Sequence, residues 1–324
     1  MKTPRAAVVL AIAALILSLP GTATRVGAGG PRPSTLSVWH AESWRPFWRS
    51  DKAPGRWAAA HPTIERALRW KRLSKGVDWA TLRLSCGGAS CRTRLVVARL
   101  DPAQVELSLA MELTREDMRP AWSIDGAPAT AVLAVNAGQF VSTMPWGWVV
   151  VDGRPLLRPG YGPLSSAVSI GVDGAVRWFH GDSLLSASGV AAGFQSYPTL
   201  LAGEGAVPLA IREPGRGVNL SHRDTRLALG ALRDGRLLIA LTRYDAVGEM
   251  AGGFPVGPTT PEMAAIMGAL GATDAVMLDG GISAQLLLRE TPSGKSYRWP
   301  GLRKVPLALI GKPRGARADL PAAK

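Results

Sequence analysis

The sequence predicts a β-rich α/β fold: central mixed sheets flanked by a few helices, with a basic, tryptophan-rich extension ahead of one main domain. Three observations carry this. From Gly76 onward, short runs of alternating or wholly apolar residues recur between Asp-Gly and proline-containing turns, which is the pattern of many short strands. One segment, Thr260 to Leu270, has helical spacing and helical end signals. At 324 residues and 47% apolar content, the chain has enough material for one large core or two modest ones.

The first 28 residues combine a basic start at Lys2 and Arg5, an apolar run from Ala6 to Leu19, a Pro20-Gly21 breaker, and small residues at Val26 and Ala28. Residues 1–28 are therefore expected to be a signal peptide that exports the chain to the periplasm or beyond. The apolar run is short for a bilayer span, which takes roughly 20 residues, so an uncleaved membrane anchor is the second reading. Residues 29–74 are rich in Lys and Arg and carry Trp39, Trp44, Trp48, Trp57 and Trp70. Pro62 is expected to open a helix with Ile64, Ala67 and Leu68 on one face. Such an extension either packs its tryptophans on the main domain or makes an envelope contact with a membrane or an anionic glycan.

The formal charge is +14, and removing residues 1–28 with Lys2, Arg5 and Arg25 leaves 14 − 3 = +11. An exported protein of this charge suits anionic glycans or lipid head groups. Nucleic acid is not expected as a partner, because no zinc-finger, RNP-type or basic-zipper pattern accompanies the charge. Cys86 and Cys91 are the only cysteines and flank Gly87-Gly88-Ala89-Ser90. In an exported chain this pair is expected to form a disulfide that staples a hairpin. His40, His61, His180 and His222 show no ligand spacing, and no metal or cofactor is expected.

The main domain opens with Trp79 to Ser85 and Arg94 to Leu100, read as a hairpin around the cysteine turn, and Val105 to Leu113, read as a third strand. Ala131 to Asn136 is an apolar strand that ends on an amide, with Gly138 two residues on. Hairpin turns follow at Asp152-Gly153, Asp173-Gly174 and Asp234-Gly235. Phe194-Gln195-Ser196-Tyr197-Pro198 shapes a loop before another apolar run. The polar cluster Ser221 to Arg226 then precedes the strand Leu227 to Leu232. Arg226 offers a planar fork to phosphate or carboxylate, or else pairs with Asp224 on the surface. Leu237 to Thr242 reads as a buried strand, and residues 312–324 as a flexible tail.

Between these, Thr260 is the expected N-cap of a helix, with Pro261 at its first position, Glu262 in its first turn, and Gly271 as its stop. Ala275 to Leu278 then runs straight into Asp279-Gly280-Gly281, with Ser283 two residues later and Leu286 to Leu288 returning to the core. A carboxylate at the carboxyl end of a buried strand either faces a ligand or caps its own turn.

Taken in order over residues 75–311, these segments resemble the phosphodiester glycosidase family. Asn136-Ala137-Gly138-Gln139-Phe140 stands where that family carries Asn-Gly-Gly-Phe-Phe. Phe194 to Pro198 resembles its Gln-Ser-Gly-Pro turn, and Arg226 to Gly230 its Arg-Thr-Ala-Ile-Gly. The helix at Thr260 followed by Leu278-Asp279-Gly280-Gly281-Ile282-Ser283 resembles its most distinctive segment. Tyr197, Leu227 and Ile282 depart from the pattern, replacing a glycine, a threonine and a glycine.

The resemblance implies a single catalytic domain over 75–311 that cleaves the glycosidic bond of a sugar-1-phosphodiester, in an envelope or exopolysaccharide setting. A non-catalytic anionic-glycan-binding protein on the same fold is the alternative. Breaking that bond passes through an oxocarbenium-like state that a nearby carboxylate stabilises. Asp279 is expected in that role, Arg226 as the cation for the departing phosphate, and Asn136 and Ser283 on sugar hydroxyls. Gly138, Gly280 and Gly281 are expected to let the ligand approach the backbone, with Gln195 and Thr225 nearby. Asp224, Asp245 and Glu249 are the candidates for a second carboxylate.

Overall fold

The computed structural model describes residues 33–86, 91–162, 165–180, 183–184, 188–244 and 256–315. The leader read over 1–28, Asp245, Glu249 and the end of the tail lie outside these residues. In chain order the strands are β1 Thr35–His40, β2 Ser43–Arg49, β3 Lys71–Ser74, β4 Val77–Cys86, β5 Arg92–Leu100, β6 Val105–Met111, β7 Leu133–Asn136, β8 Phe140–Val141, β9 Met144–Pro145, β10 Val149–Val151 and β11 Arg154–Leu157. They continue with β12 Ser166–Gly171, β13 Val176–His180, β14 Val190–Ser196, β15 Thr199–Leu201, β16 Leu227–Leu232, β17 Leu237–Tyr244, β18 Ala272–Leu278, β19 Leu286–Arg289, β20 Ser296–Trp299 and β21 Leu307–Pro313. Three helices, α1 Pro62–Ala67, α2 Leu209–Arg212 and α3 Thr260–Ala269, complete the described elements.

Nine strands make the main sheet, in the order β15-β18-β16-β17-β5-β4-β1-β2 with β3 beside β4. A second sheet runs β11-β10-β14-β12-β13 and a third β20-β19-β7-β21-β6. The ladders are antiparallel. The hairpin around the cysteines forms as β4 and β5, with Ser85 opposite Arg92 and a Cys86–Cys91 disulfide at its end. The third strand that follows forms as β6 and pairs with β21 in the third sheet, not with the hairpin. Pro102, in the turn between β5 and β6, cannot donate to a ladder, and the chain crosses there to the facing layer.

The main sheet is buried on both faces over β16, β17, β18 and the second half of β5, and strand periodicity divides the side chains there between two cores. Val96, Ala98, Leu100, Leu227, Leu229, Ile239, Leu241, Val276 and Leu278 join the core shared with the other two sheets. Their neighbours Leu95, Val97, Ala228, Leu238, Ala240, Ala275 and Met277 join the core shared with the helices. This is why β16, β17 and β18 read as nearly continuous apolar runs rather than alternating ones. At roughly 1.5–3 kcal/mol for each fully buried aliphatic side chain, these two layers dominate the gross stabilisation and make the ends of these strands rigid places to mount a site.

The helix α3 covers the second core with Met263, Ile266, Met267 and Leu270. Its N-cap is Thr259, one residue earlier than the sequence suggests. The Thr259 hydroxyl accepts from the Glu262 amide while the Glu262 carboxylate accepts from the Thr259 amide at 2.9 Å. That reciprocal pairing needs three residues of spacing and is met from Thr259, not Thr260. Gly271 ends the helix at φ +92°, the left-handed turn that favours glycine.

The residues from Ser34 to Ser74 pack with the rest of the chain from Ser34 onward as one compact unit. Strand β1 pairs with β4 and β2 forms the sheet edge. Helix α1 starts at Pro62, is capped by His61 and buries Ile64, with Ala67 and Leu68 against the second core. Trp57 is buried against Gly268 of α3, where an added Cβ would come 2.2 Å from the indole. Among the described residues no helix is long and apolar enough to cross a membrane.

Candidate functional site

The segments singled out in the sequence converge at one end of the main sheet, where β18 and β7 end and β16 begins. Asp279 follows β18. Its amide donates to Gly138 O at 2.8 Å, and Asn136 Nδ2 donates to its carbonyl at 2.8 Å. The Gly281 amide donates to Thr225 O at 2.8 Å. Three strand ends are thus stitched together by main-chain bonds around one carboxylate.

Glycine is required twice in this weave. A Cβ at Gly280 would lie 2.5 Å from Thr225 O. Gly281 has φ +55°, and a Cβ there would meet Asp224 Oδ2 at 2.8 Å. The double glycine therefore serves close packing of the turn on the 224–225 segment.

The Asp279 carboxylate is largely buried, its side chain 17% exposed, and Oδ2 lies 3.3 Å from Arg303 Nη2. Arg303 Nε donates to the Ser283 hydroxyl, and its guanidinium sits 4.6 Å from the Phe140 ring centroid. Burial pushes the Asp279 carboxyl above the ordinary carboxylate range, against the pull of Ser283 and Arg303, and the charge of Asp224 adds to the rise. A carboxylate in this setting is poised to exchange or hold a proton nearer neutrality than a surface aspartate.

The other expected residues take different positions. Asn136 is buried, and both polar atoms of its amide are engaged: Nδ2 on Asp279 O and Oδ1 accepting from the Gln285 amide at 2.9 Å. These two bonds tie it to the Asp279 turn and to the residue before β19. Gln195 is buried behind the site, accepting from the Trp148 and Gly160 amides at 3.0 and 2.8 Å and donating to Gly160 O at 3.0 Å. Its side chain holds the 148–160 loop. Thr225 is fully buried, and its contribution to the weave is the carbonyl that takes the Gly281 amide.

Arg226 donates through Nε to Pro258 O at 3.0 Å and through Nη2 to His222 O at 2.5 Å. Burial lowers the proton affinity of its guanidinium, with Asp224 and Glu262 opposing. This arginine binds the 222–226 segment to the approach of α3. The cation that touches Asp279 is Arg303, which the sequence reading missed. Its loop docks on the acidic turn through the Leu302 amide to Ile282 O at 2.7 Å, and Gly301 packs on Ser283 O. The only signal for it in the sequence is Pro300-Gly301 ahead of Arg303-Lys304, a basic turn 24 residues from the carboxylate.

Asp224 is the one candidate second carboxylate among the described residues. It faces the Gly281 turn and lies 3.6 Å from His222 Nε2. Tyr197, in T-shaped contact with Trp146 at 4.9 Å, and Ile282 are 45% and 44% exposed. The two departures from the family pattern at 197 and 282 thus place bulky side chains in solvent near the turn. Away from this end, Cys86, Cys91 and Glu262 are the one group of potential metal donors among the described residues. The thiols are joined in the disulfide and Glu262 is paired with Arg223, so this donor set does not suit a cation.

A family model described as phosphodiester glycosidase matches residues 129–310, more than half of the chain. No curated protein matches. Among solved structures, the catalytic domain of zebrafish N-acetylglucosamine-1-phosphodiester alpha-N-acetylglucosaminidase, auto-inhibited by its pro-peptide, is similar at a TM-score of 0.53 and 17% identity. That match covers 76% of this chain and 87% of the zebrafish chain and reflects a shared fold. A hypothetical protein from Synechocystis is similar at a TM-score of 0.46 and 17% identity, covering 88% of this chain and 69% of that one. A protein described as exported, from Burkholderia pseudomallei, gives 0.44 and 17%, covering 71% and 76%.

Proposed function

The chain belongs to the phosphodiester glycosidase family, and on that premise we propose that it hydrolyses the glycosidic bond of a sugar-1-phosphodiester in an envelope or extracellular polysaccharide. The observation that carries this reading is the Asp279–Arg303 pair at the strand ends. A carboxylate and a guanidinium 3.3 Å apart match the two charges that separate when the bond between the anomeric carbon and the phosphate oxygen breaks. Asp279 faces the sugar and stabilises the oxocarbenium character at its anomeric carbon. Arg303 receives the departing phosphate, which carries the bridging oxygen away, and water completes the sugar. We assign the phosphate to Arg303 in preference to Arg226, whose guanidinium is anchored on two carbonyls. Phe140, under Arg303, and Tyr197 supply apolar surface for the sugar face. Asp224 is the second carboxylate of the proposal.

Export is part of the same proposal. The leader-like first 28 residues and the Cys86–Cys91 disulfide support it, since disulfides persist in oxidising compartments. The test is hydrolysis of N-acetylglucosamine-1-phosphodiester and glucose-1-phosphodiester by the parent and by folded Asp279→Asn, following free sugar and phosphomonoester. Turnover that the variant loses supports the reading. Equal turnover in both removes Asp279 from the centre. Binding of an anionic glycan by both without turnover favours the non-catalytic alternative.

A further inference from the structure

At the opposite end of the main sheet from Asp279, the tryptophan-rich extension and the sheet enclose a cavity of about 580 Å³, a size typical of small-molecule sites. Its lining comes from four places: the extension between Trp57 and Trp70, Arg99 near the end of β5, the β16–β17 turn from Leu232 to Arg236, and the link from α3 into β18 at Ala269 to Thr273. Strand β18 leads from Ala272 at the cavity end to Leu278 beside Asp279, about 20 Å at roughly 3.3 Å per residue. The cavity and the candidate site share a strand and no side chain.

The walls are fastened to the fold. The His61 amide donates to Ala269 O at 2.9 Å, Arg233 Nη2 donates to Ala58 O at 3.3 Å, and Trp57 packs on Gly268. The polar groups inside are of two kinds. Arg236 is closed on Asp234, with Nε 2.8 Å from Oδ2. Arg99 is aimed instead: its Nε donates to Asp78 Oδ2 at 3.0 Å, and its guanidinium lies over Trp70, 4.3 Å from the ring centroid. Those two contacts fix the plane of the fork and leave Nη1 and Nη2 without a partner among the described residues. On α1 the exposed Glu65 carboxylate is also without a partner among the described residues. Trp57, Leu68, Leu232 and Leu270 supply the apolar wall around them.

This combination selects among ligands. A wholly apolar molecule would take the Arg99 fork and the Glu65 carboxylate out of water with nothing in return. An anion gains from Arg99 and is repelled by Glu65 and Asp234. A neutral ring with an apolar face and hydroxyls around its edge meets every demand. Its hydroxyl oxygens accept from the guanidinium, its hydroxyl protons go to the carboxylate, and its face lies against the indole wall.

We propose that this cavity is a second, non-catalytic site that binds a neutral pyranose unit of a glycan, with Arg99 and Glu65 on its hydroxyls and Trp57 beside its apolar face. The site stands apart from the glycosidase reading, because none of its residues reaches Asp279. It also gives the extension a task beyond packing. Trp70 props the arginine, Trp57 walls the cavity, and α1 delivers the carboxylate.

The test is calorimetric titration of the parent, Glu65→Ala and Ala59→Trp with maltotetraose, cellotetraose and N-acetylchitotetraose, and with tetragalacturonate as the charged comparison. Ala59 is exposed at the edge of the cavity, so an indole introduced there fills the cavity from outside the core. Melting temperatures establish that both variants are folded. The proposal expects at least one neutral tetrasaccharide to bind the parent with an affinity that salt does not change. Glu65→Ala should weaken that binding about tenfold, as for loss of a hydrogen bond to a charged group, and Ala59→Trp should abolish it. Turnover of a small sugar-1-phosphodiester should be equal in all three proteins. No binding of a neutral tetrasaccharide by the parent, or equal binding by all three proteins, overturns the site. If Ala59→Trp loses tetragalacturonate and keeps the neutral sugars, the cavity takes an anion and the proposal falls. Loss of neutral binding in both variants, from a parent that turns over no phosphodiester, supports the site and overturns the glycosidase reading instead.

Discussion

Two arginine–carboxylate pairs flank the same end of the fold, and they are built differently. Glu262 in the first turn of α3 is 1% exposed and saturated: Arg223 grips it with two nitrogens at 2.8 and 2.9 Å, the Thr259 amide donates at 2.9 Å, and the Ser34 hydroxyl donates as well. Asp279 at the end of β18 meets Arg303 through one contact at 3.3 Å, and that arginine's side chain is 47% exposed. A buried charge with every lone pair matched is scaffolding. A buried carboxylate held by the Ser283 hydroxyl and one long contact to a half-exposed cation keeps capacity for a ligand. Both stand where an acid follows or opens an element, so residue type and local signal do not separate them; saturation does.

The sharpest way to break the comparison is removal of each carboxylate's charge. Asp279→Asn should lower turnover of a sugar-1-phosphodiester by about 10³-fold, within the range for a carboxylate acting in the transition state, while the protein stays folded. Its stability should move the other way. The folded carboxyl sits above its ordinary value, so the native state binds that proton more tightly than the unfolded chain. Stability therefore falls as pH rises through the window between the two values, and ionised Asp279 is a constant burden above it. Melting curves should show Asp279→Asn more stable than the parent at neutral pH, the difference vanishing below the ordinary carboxylate range.

Next in size is Arg223→Met, which strands Glu262. It should destabilise by about 3 kcal/mol, measured by denaturant unfolding, with kcat per folded molecule unchanged. Arg303→Met is its counterpart. It should cost about 10²-fold in kcat and under about 1 kcal/mol in stability, as for an exposed pair. Reversed outcomes for these two arginines would invert the assignment of scaffold and centre. The glycine weave is tested by Gly280→Ala, which presses a Cβ toward Thr225 O and should destabilise by about 1–3 kcal/mol and lower turnover less than either arginine or carboxylate change at the centre, through displacement of Asp279.

The sequence made the site's backbone legible because its grammar is local. Apolar strands ending in Asn136-Ala137-Gly138 and Asp279-Gly280-Gly281 announce tight turns at strand ends, and those turns meet. The helix at Pro261 and its stop at Gly271 were legible for the same reason, apart from the one-residue shift of the cap. Side-chain roles were harder to read because they depend on register between distant strands. Arg226 and Arg303 are both arginines beside turns, and only the fold shows that one is anchored on carbonyls and the other reaches the carboxylate. Asn136 has the chemistry of a ligand contact, and only the fold shows that its amide also bonds Asp279 O. The destination of β6 was hidden too, since an apolar strand after a hairpin fits either sheet facing the same core.

The most direct measurement is a crystal structure of Asp279→Asn soaked with an N-acetylglucosamine-1-phosphodiester. The account predicts the anomeric carbon facing the side chain at 279 and the phosphate oxygens within hydrogen-bond distance of Arg303. A sugar seated elsewhere, for instance in the cavity of about 580 Å³ beside Trp57, Trp70 and Arg99 at the opposite ends of these strands, with the Asp279 turn empty, would contradict it.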